Sequence, residues 1–489
     1  MSANNALPPS RRGQQDAQPA LTVDFKERLE GDQYHPKKNP KGIIDLGSDT
    51  NELMLDSIAG WTRWNLKKCE LKDGLGYNTV QESSELLNAA ANFMTEHFEA
   101  RIPLTADNIL AGNGATALLD TLTYNIADEG DSILCPTPSY DMSARDISTR
   151  NGVRFVTVSC EDIPGERFTG LPRQEHEATS QPELVTRLEK AIERESNQGH
   201  KVAGILLANP EGALGRCYEA HILLKVSQLC ARHKIHLVVD ETYSMSSGDS
   251  YISILSLGLD MNISNVHVLW GISKDFGLGG LNIAVLATYN RQLYNAMRTS
   301  NRFSCVSSLS AMITTKLLSD KKYMRDHYKP TLNRRLKKRR QLVEGELKRY
   351  DIPYLEADSG FFMFLNLSYW LDPLFAQHGK DGDLGLLEYM MDNSVFLELG
   401  KVNDTNCLPF GHYYEAKHVL IHNVTQTFSS NRPGWFRLNF GGEKHTVKTG
   451  LQRLFRCLNA LEDKQDPLAV EDITSYYPPP RYQALMIRS

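Results

Sequence analysis

The middle of the chain is built on one repeated pattern. Short and almost wholly apolar runs occupy 132–135, 153–158, 202–207, 236–239, 266–270 and 283–286, with polar or amphipathic stretches between them. A strand with one wet face alternates apolar and polar residues, so an unbroken apolar run suits a strand covered on both faces. The spacer 218–233 has helical periodicity, with Ile222, Leu223, Val226, Leu229 and Cys230 on one side. Strand, helix, strand in repetition predicts an α/β fold with a mostly parallel sheet and helices on both faces. Ligands of such sheets collect at the carboxyl edge of the strands. Residues that directly follow an apolar run are therefore the first candidates for chemistry.

After residue 315 the texture changes. Segment 321–349 is highly charged and reads as mostly helical, with Pro330 near its start. It contains Arg334-Arg335-Leu336-Lys337-Lys338-Arg339-Arg340. A basic run of this kind suits nucleic acid or nuclear import, but the simpler reading is the solvated face of a long helix joining two domains. The net charge of -5 gives no ground for nucleic acid or an anionic membrane as partner. Apolar strands at 360–365 and 435–440 predict a second, smaller α/β domain. The expected division is a disordered tail over 1–20, an arm over 21–75 that adds to the small domain, a large domain over 76–318, a small domain over 319–465 and an extended tail over 466–489.

No apolar stretch is long enough to span a bilayer. The first twenty residues lack the apolar core of a secretory signal. Eight cysteines are scattered without a CxxC pair, which reads as thiols in a reducing compartment. A cytoplasmic location is expected, with no metal site.

Lys274 follows the run 266–270 and opens onto Phe276-Gly277-Leu278-Gly279-Gly280. Burial at such a strand end disfavours the ammonium form and lowers its pKa. A neutral amine is a nucleophile that condenses with a carbonyl to give a Schiff base. The bland alternative is a lysine that snorkels to water. Four other features fit Schiff-base chemistry. Gly112-Asn113-Gly114-Ala115-Thr116-Ala117 opens a helix, where backbone N–H groups and a hydroxyl form a phosphate cradle. Asp240 ends the run 236–239 and would keep a pyridine nitrogen protonated, which makes the ring an electron sink. Tyr243 would donate to a ring phenolate oxygen; a helix-capping role for Asp240 is the alternative. Pro136-Thr137-Pro138-Ser139-Tyr140 is a rigid turn that would present Tyr140 to a cofactor ring, unless Tyr140 is simply core. Arg437 alternates with large apolar residues and would grip a carboxylate bidentately, unless it serves a structural ion pair.

Together and in this order, these segments resemble the fold-type-I enzymes that use pyridoxal 5′-phosphate (PLP). Within them the chain is most similar to the branch of 1-aminocyclopropane-1-carboxylate synthase and its aminotransferase-like relatives. The matching text also includes Ser273-Lys274-Asp275, Gly360-Phe361-Phe362, Leu365-Asn366-Leu367 and Pro433-Gly434-Trp435-Phe436-Arg437, and it runs from about 40 to 462. The resemblance implies an aspartate aminotransferase-like PLP-transferase large domain and a smaller C-terminal α/β domain. It implies that Lys274 forms the Schiff base and then shuttles the Cα proton. Asp240 would pair with the pyridine nitrogen and Tyr243 with the phenolate oxygen, while Tyr140 stacks on the ring. Ala115, Thr116 and Ser273 would help seat the cofactor, and Arg437 would hold the substrate α-carboxylate. A homodimer is implied, with Tyr77 as a residue lent by the partner. The substrate is implied to be of amino-acid type and the reaction a transamination or an elimination. Relatives in fungal specialised metabolism include carbon–sulfur lyases. A nicotinamide dehydrogenase is disfavoured, because Gly112 and Gly114 do not extend into a GxGxxG pattern.

The chain also departs from the family. An arginine expected eight residues after the lysine is Asn282, and a serine expected three before it is Gly271. The family's asparagine, 28 residues before the ring aspartate, falls on Gly212 in Asn209-Pro210-Glu211-Gly212. Asn209 fills that role only if the following segment is three residues longer than usual. The N-terminal recognition glutamate is missing, and Leu46-Gly47-Ser48-Asp49-Thr50-Asn51 offers Asp49 or Thr50 instead. Tyr77 stands at a shifted spacing. A charge-assisted contact contributes about 1.5–3 kcal/mol, so weakened but real cofactor binding is expected. A decayed relative that keeps the fold as a binding module is the competing expectation.

Overall fold

The structure is a computed structural model and describes residues 9–10, 13–14, 21–68, 70–76, 84–139, 142–162, 182–248, 250–258, 261–400 and 433–462. Its strands are β1 (Ile44–Asp45), β2 (Ile109–Gly112), β3 (Ser132–Thr137), β4 (Arg154–Ser159), β5 (Val202–Ala208), β6 (His236–Asp240) and β7 (Val266–Gly271). They continue with β8 (Ala284–Thr288), β9 (Tyr354–Leu355), β10 (Phe362–Asn366), β11 (Val395–Phe396), β12 (Glu398–Leu399) and β13 (Trp435–Asn439). The six apolar runs of the middle region become β3 to β8.

Seven strands form one sheet in the order β2-β8-β7-β6-β5-β3-β4. Neighbours are parallel except at β8, which runs antiparallel to both β2 and β7. Both faces are covered over most of the sheet, while in the edge strand β4 only Val158 is buried. In β6, Leu237 and Val239 enter one core while Val238 enters the other. In β7, Val266 and Val268 are parted from Leu269 in the same way. This is the two-residue period of a strand acting between two helical layers. The spacer after β5 is the helix Ala220–His233, whose apolar side is buried.

A second sheet has the order β12-β13-β10-β9 and is antiparallel throughout. The early strand β1 pairs in parallel with β11, which ties the start of the chain to its C-terminal part. The charged segment is a helical turn Lys321–Tyr323, a π-helical turn Met324–Tyr328 and the long helix Lys329–Arg349. Pro330 sits in the first turn of that helix, where no intrahelical N–H is needed. Its basic run is divided by the helical period. Arg334, Lys337 and Lys338 are exposed. Arg335 instead pairs with Asp56, Arg339 donates to Gly442 O, and Arg340 donates to Gly360 O at 3.3 Å. Half of the run thus laces the helix to the rest of the protein. Among the described residues no helix is long and apolar enough to cross a membrane. The tail expected over 466–489 and nearly all of 1–20 lie outside the described residues.

Candidate active site

The sheet register brings the candidate residues to one edge. Ala208 at the end of β5 stands opposite Asp240, and Asp240 stands opposite Leu269 in β7. Ala284, the first residue of the reversed strand β8, stands opposite both Gly112 and Gly271. The ends of β2, β5, β6 and β7 and the start of β8 therefore meet there. Lys274 follows β7 in the short helix Ile272–Asp275, together with Ser273. Asp240 is the last residue of β6.

Lys274 does not point into bulk solvent. Its side chain is 28% exposed, and Nζ donates to Asp49 Oδ2 at 3.2 Å. The Tyr243 hydroxyl donates to the same oxygen at 3.3 Å. The other oxygen, Oδ1, pairs with the Arg437 guanidinium. Asp49 is therefore the hub of the site, and its side chain is only 8% exposed. Burial pushes its carboxyl up, but the charges of Arg437 and Lys274 outweigh this and hold it below the usual carboxylate value. Of the two residues offered by the N-terminal segment, Asp49 reaches the lysine. Thr50 is exposed and contributes its backbone O, which accepts from Asn439 Nδ2 at 2.8 Å.

Arg437 has no exposed side-chain surface. It lies in β13 opposite Phe364 and Glu398. Nη2 donates to Gly47 O at 3.0 Å, and the guanidinium lies 4.2 Å from the Phe362 ring centroid. The Tyr243 ring packs edge-on against Phe361 and Phe362 at 5.6 and 5.3 Å. Gly212 lies under that ring: a Cβ there would come within 3.0 Å of Tyr243 Cε2.

Asp240 Oδ1 accepts from Thr242 N at 2.9 Å. Burial pushes this carboxyl above its ordinary value, while Thr242 and Lys274 pull it down. Asn209 is engaged elsewhere. Its Nδ2 donates to Ile252 O at 2.9 Å and its Oδ1 accepts from Tyr218 N at 3.0 Å.

The predicted phosphate cradle is the start of the helix Ala115–Ile126, with Gly114 before it at φ 89°. First-turn N–H groups have no acceptor inside a helix, so Ala115 and Thr116 sit where an anion is welcome. Two features reduce the welcome. The Thr116 hydroxyl donates to Asp146 at 3.0 Å. Asn282, at the position of the family arginine, donates to Asn113 Oδ1 at 3.2 Å. Tyr140 and Tyr77 lie outside the described residues.

Two buried carboxylates carry roles that the sequence did not disclose. Asp275 accepts from Ser244 Oγ, Met245 N, Ser246 N, Ser246 Oγ and Trp270 Nε1, all within 3.1 Å. It pegs the lysine turn to the loop after β6. Burial pushes its carboxyl up to about 7 against those five donors. Glu211 accepts from Ala213 N and Leu214 N at 2.9 and 2.8 Å and shapes the loop after β5. The one available signal was position, since each carboxylate adjoins a recognised motif.

A lysine, an aspartate and a helix start at the carboxyl edge of one sheet are the requirements of a PLP-binding protein of fold type I. The chain belongs to the aminotransferase class I and II family, whose pattern it matches over residues 42–454. It is 29% identical to mouse 1-aminocyclopropane-1-carboxylate synthase-like protein 1 over 434 residues, covering 87% of this chain and 78% of that one. It is 27% identical to 1-aminocyclopropane-1-carboxylate synthase 2 of Solanum lycopersicum, covering 88% and 83%. It is also 28% identical to the mouse "probable inactive 1-aminocyclopropane-1-carboxylate synthase-like protein 2", covering 90% and 70%. Among solved structures, a double mutant of Thermus thermophilus aspartate aminotransferase superposes with a TM-score of 0.68 at 17% identity. That likeness covers 92% of this chain and 100% of the other, and it establishes an aspartate aminotransferase-like fold. PLP is the cofactor of this family. The residues present fit it at the ring end, through Lys274, Asp240 and Tyr243. At the phosphate end the helix start is kept, and an amide replaces the guanidinium.

Proposed function

We propose that the chain is a PLP-dependent enzyme acting at Cα, Cβ or Cγ of an amino-acid-type substrate, as a lyase or an aminotransferase. The observation that carries this reading is the meeting of Lys274, Asp240 and Tyr243 at one sheet edge. Bound PLP supplies an aldehyde for an amine and a ring that takes up the electron pair released at Cα. Lys274 would hold the cofactor through its amine and, with that amine free, would take a proton from Cα of the substrate and return it. Asp240 would hold the ring nitrogen protonated. Tyr243 and Asp49 flank the lysine amine and orient it. Ala115, Thr116 and Ser273 seat the phosphate. Elimination and transamination share these steps and differ in where the next proton goes and in what leaves the side chain.

This reading covers a lyase of specialised metabolism, including a carbon–sulfur lyase, and an aminotransferase alike. The same reading takes the protein as a cytoplasmic homodimer, with Tyr140 stacking on the ring and Tyr77 lent by the partner. Its large unit spans 76–318 and its small unit 319–465. Asn282 and the Thr116–Asp146 bond favour a second reading, a catalytically decayed binding module.

Mass spectrometry of borohydride-reduced protein tests the first reading: a phosphopyridoxyl adduct on Lys274 supports it. A colourless protein, unchanged by added PLP, supports the binding module. Keto acid and ammonia released without an added keto-acid acceptor identify a lyase, and strict dependence on that acceptor identifies an aminotransferase.

A further inference from the structure

Arg437 is the residue suited to grip a substrate carboxylate, and a carboxylate of this chain already sits on it. Asp49 Oδ1 pairs with the guanidinium, and Asp49 Oδ2 accepts from Lys274 and Tyr243. Asp49 is not a loose side chain that drifted in. Asp45 Oδ1 accepts from the N–H groups of Gly47 and Ser48 at 2.9 and 2.8 Å. Asn439 Nδ2 donates to the carbonyls of Ser48 and Thr50. Asn51 Nδ2 donates to Lys274 O at 2.9 Å and Asp275 O at 3.1 Å. The segment that presents Asp49 is thereby clamped to both the small sheet and the lysine turn.

An arriving carboxylate would have to displace a buried anion from a fully buried cation. The displaced Asp49 carboxylate would then keep only Lys274 as a charged partner, in a poorly solvated place. It would also meet the like charge of Asp49 in the same crevice. A neutral amide or an alkyl group meets neither obstacle. It can lie beside the Asp49–Arg437 pair, or hydrogen-bond to it, without breaking it.

We infer that Asp49 sets the substrate class: the site takes a primary amine whose α-carbon carries no free carboxylate, the carboxyl being absent or masked as an amide. This rests on the amine-processing reading given above and narrows it: the carbonyl product released would then be a keto amide, an aldehyde or a ketone in place of the keto acid. Asp49 acts as the built-in counter-ion of Arg437.

The test is calorimetric titration of the full-length protein, as purified and after loading with PLP, using L-alanine and L-alaninamide as the matched probes. The wild type is expected to bind L-alaninamide at least tenfold more tightly than L-alanine. Asp49→Asn, which leaves Arg437 without its anion, is expected to reverse the order. Equal or tighter binding of L-alanine by the wild type overturns the proposal. So does an unchanged ratio in folded Asp49→Asn protein, or binding of neither probe in any form. If Asp49→Asn fails to fold, the wild-type ratio decides alone. Cofactor attachment is read separately from the reduced adduct. A protein that gives no adduct at Lys274 sinks the enzyme reading and this inference with it. An adduct together with a preference for L-alanine sinks this inference alone.

Discussion

Asp49 and Arg437 form a buried ion pair, one residue near the start of the chain and the other in its last strand. The pairing depends on close backbone approach. Gly47 lies against Phe396 and the backbone of Glu398, and its carbonyl accepts from Arg437. Lys274 shares the Asp49 carboxylate, so the pair couples the small sheet to the lysine turn of the large one.

Breaking this pair from one side leaves an uncompensated buried charge. Asp49→Asn and Arg437→Leu are each expected to destabilise the fold by about 3–5 kcal/mol. The double variant is expected to lose less than the sum, with a coupling of at least about 1 kcal/mol in urea unfolding. Additive losses would show that the two side chains do not support each other.

Lys274→Ala removes the amine and leaves Asp275 with its five donors. The variant is expected to fold, to keep its urea midpoint close to that of the wild type and to lose the reducible cofactor adduct. An adduct that persists would assign the attachment to another lysine.

Asn282 lies at φ 48° beside the helix start. Asn282→Arg restores a cation worth about 1.5–3 kcal/mol to a phosphate. Holding an arginine in left-handed backbone costs about 1–2 kcal/mol of fold stability, in the free and the loaded protein alike. A tightening of PLP affinity of at least about tenfold is expected, read by fluorescence titration of apoprotein. No change, or a loss, would mean that the phosphate is seated elsewhere.

Gly277 adopts φ 67°, and a Cβ there would collide with the carbonyl oxygen of Asn51. Gly277→Ala is therefore expected to cost at least about 2 kcal/mol, from left-handed strain plus displacement of the Asn51 segment. Asn51 also holds Lys274 O and Asp275 O, so the same variant is expected to weaken the grip of Asp49 on Lys274. A urea midpoint equal to that of wild type would refute the close approach.

His97 packs against the Phe93 ring at 4.2 Å. Burial, helped by the charge of Lys329, pushes its imidazole down to about 4. The unfolded chain takes up this proton near its ordinary value of 6.5, so the folded state loses stability as pH falls from about 6.5 toward 4. The stability of wild type relative to His97→Gln is expected to shrink by about 2 kcal/mol between pH 8 and pH 5. A pH-independent difference would mean that the imidazole titrates as it does in the unfolded chain.

The apolar runs dictated β3 and β5 to β8, because an unbroken run has to be covered on two faces; β4, where Arg154 and Thr157 interrupt the run, lies at the sheet edge with only Val158 buried. They also placed Asp240 and Lys274 at strand ends. The short edge strand β2 escaped notice, since four residues, Ile109–Gly112, carry too little periodicity to be told from a buried turn. The basic run looked uniformly solvated, yet the helical period turned Arg335, Arg339 and Arg340 inward onto acceptors that lie far away in sequence.

The site divides along the same line. Residue type and spacing alone determined that a lysine, an aspartate and a tyrosine gather at one edge, because each is fixed by the strand that precedes it. The order of strands, the reversal of β8 that brings Asn282 to the helix start, and the choice of Asp49 over Thr50 as the carrier of charge were decided by the tertiary structure. Those facts depend on contacts between segments that are not adjacent in sequence: partners in the β5–β6 pair lie about thirty residues apart, and Asp49 and Lys274 lie 225 apart. The pairing of Arg437 with an internal anion has no local signature, since an ion pair is defined by where two backbones meet.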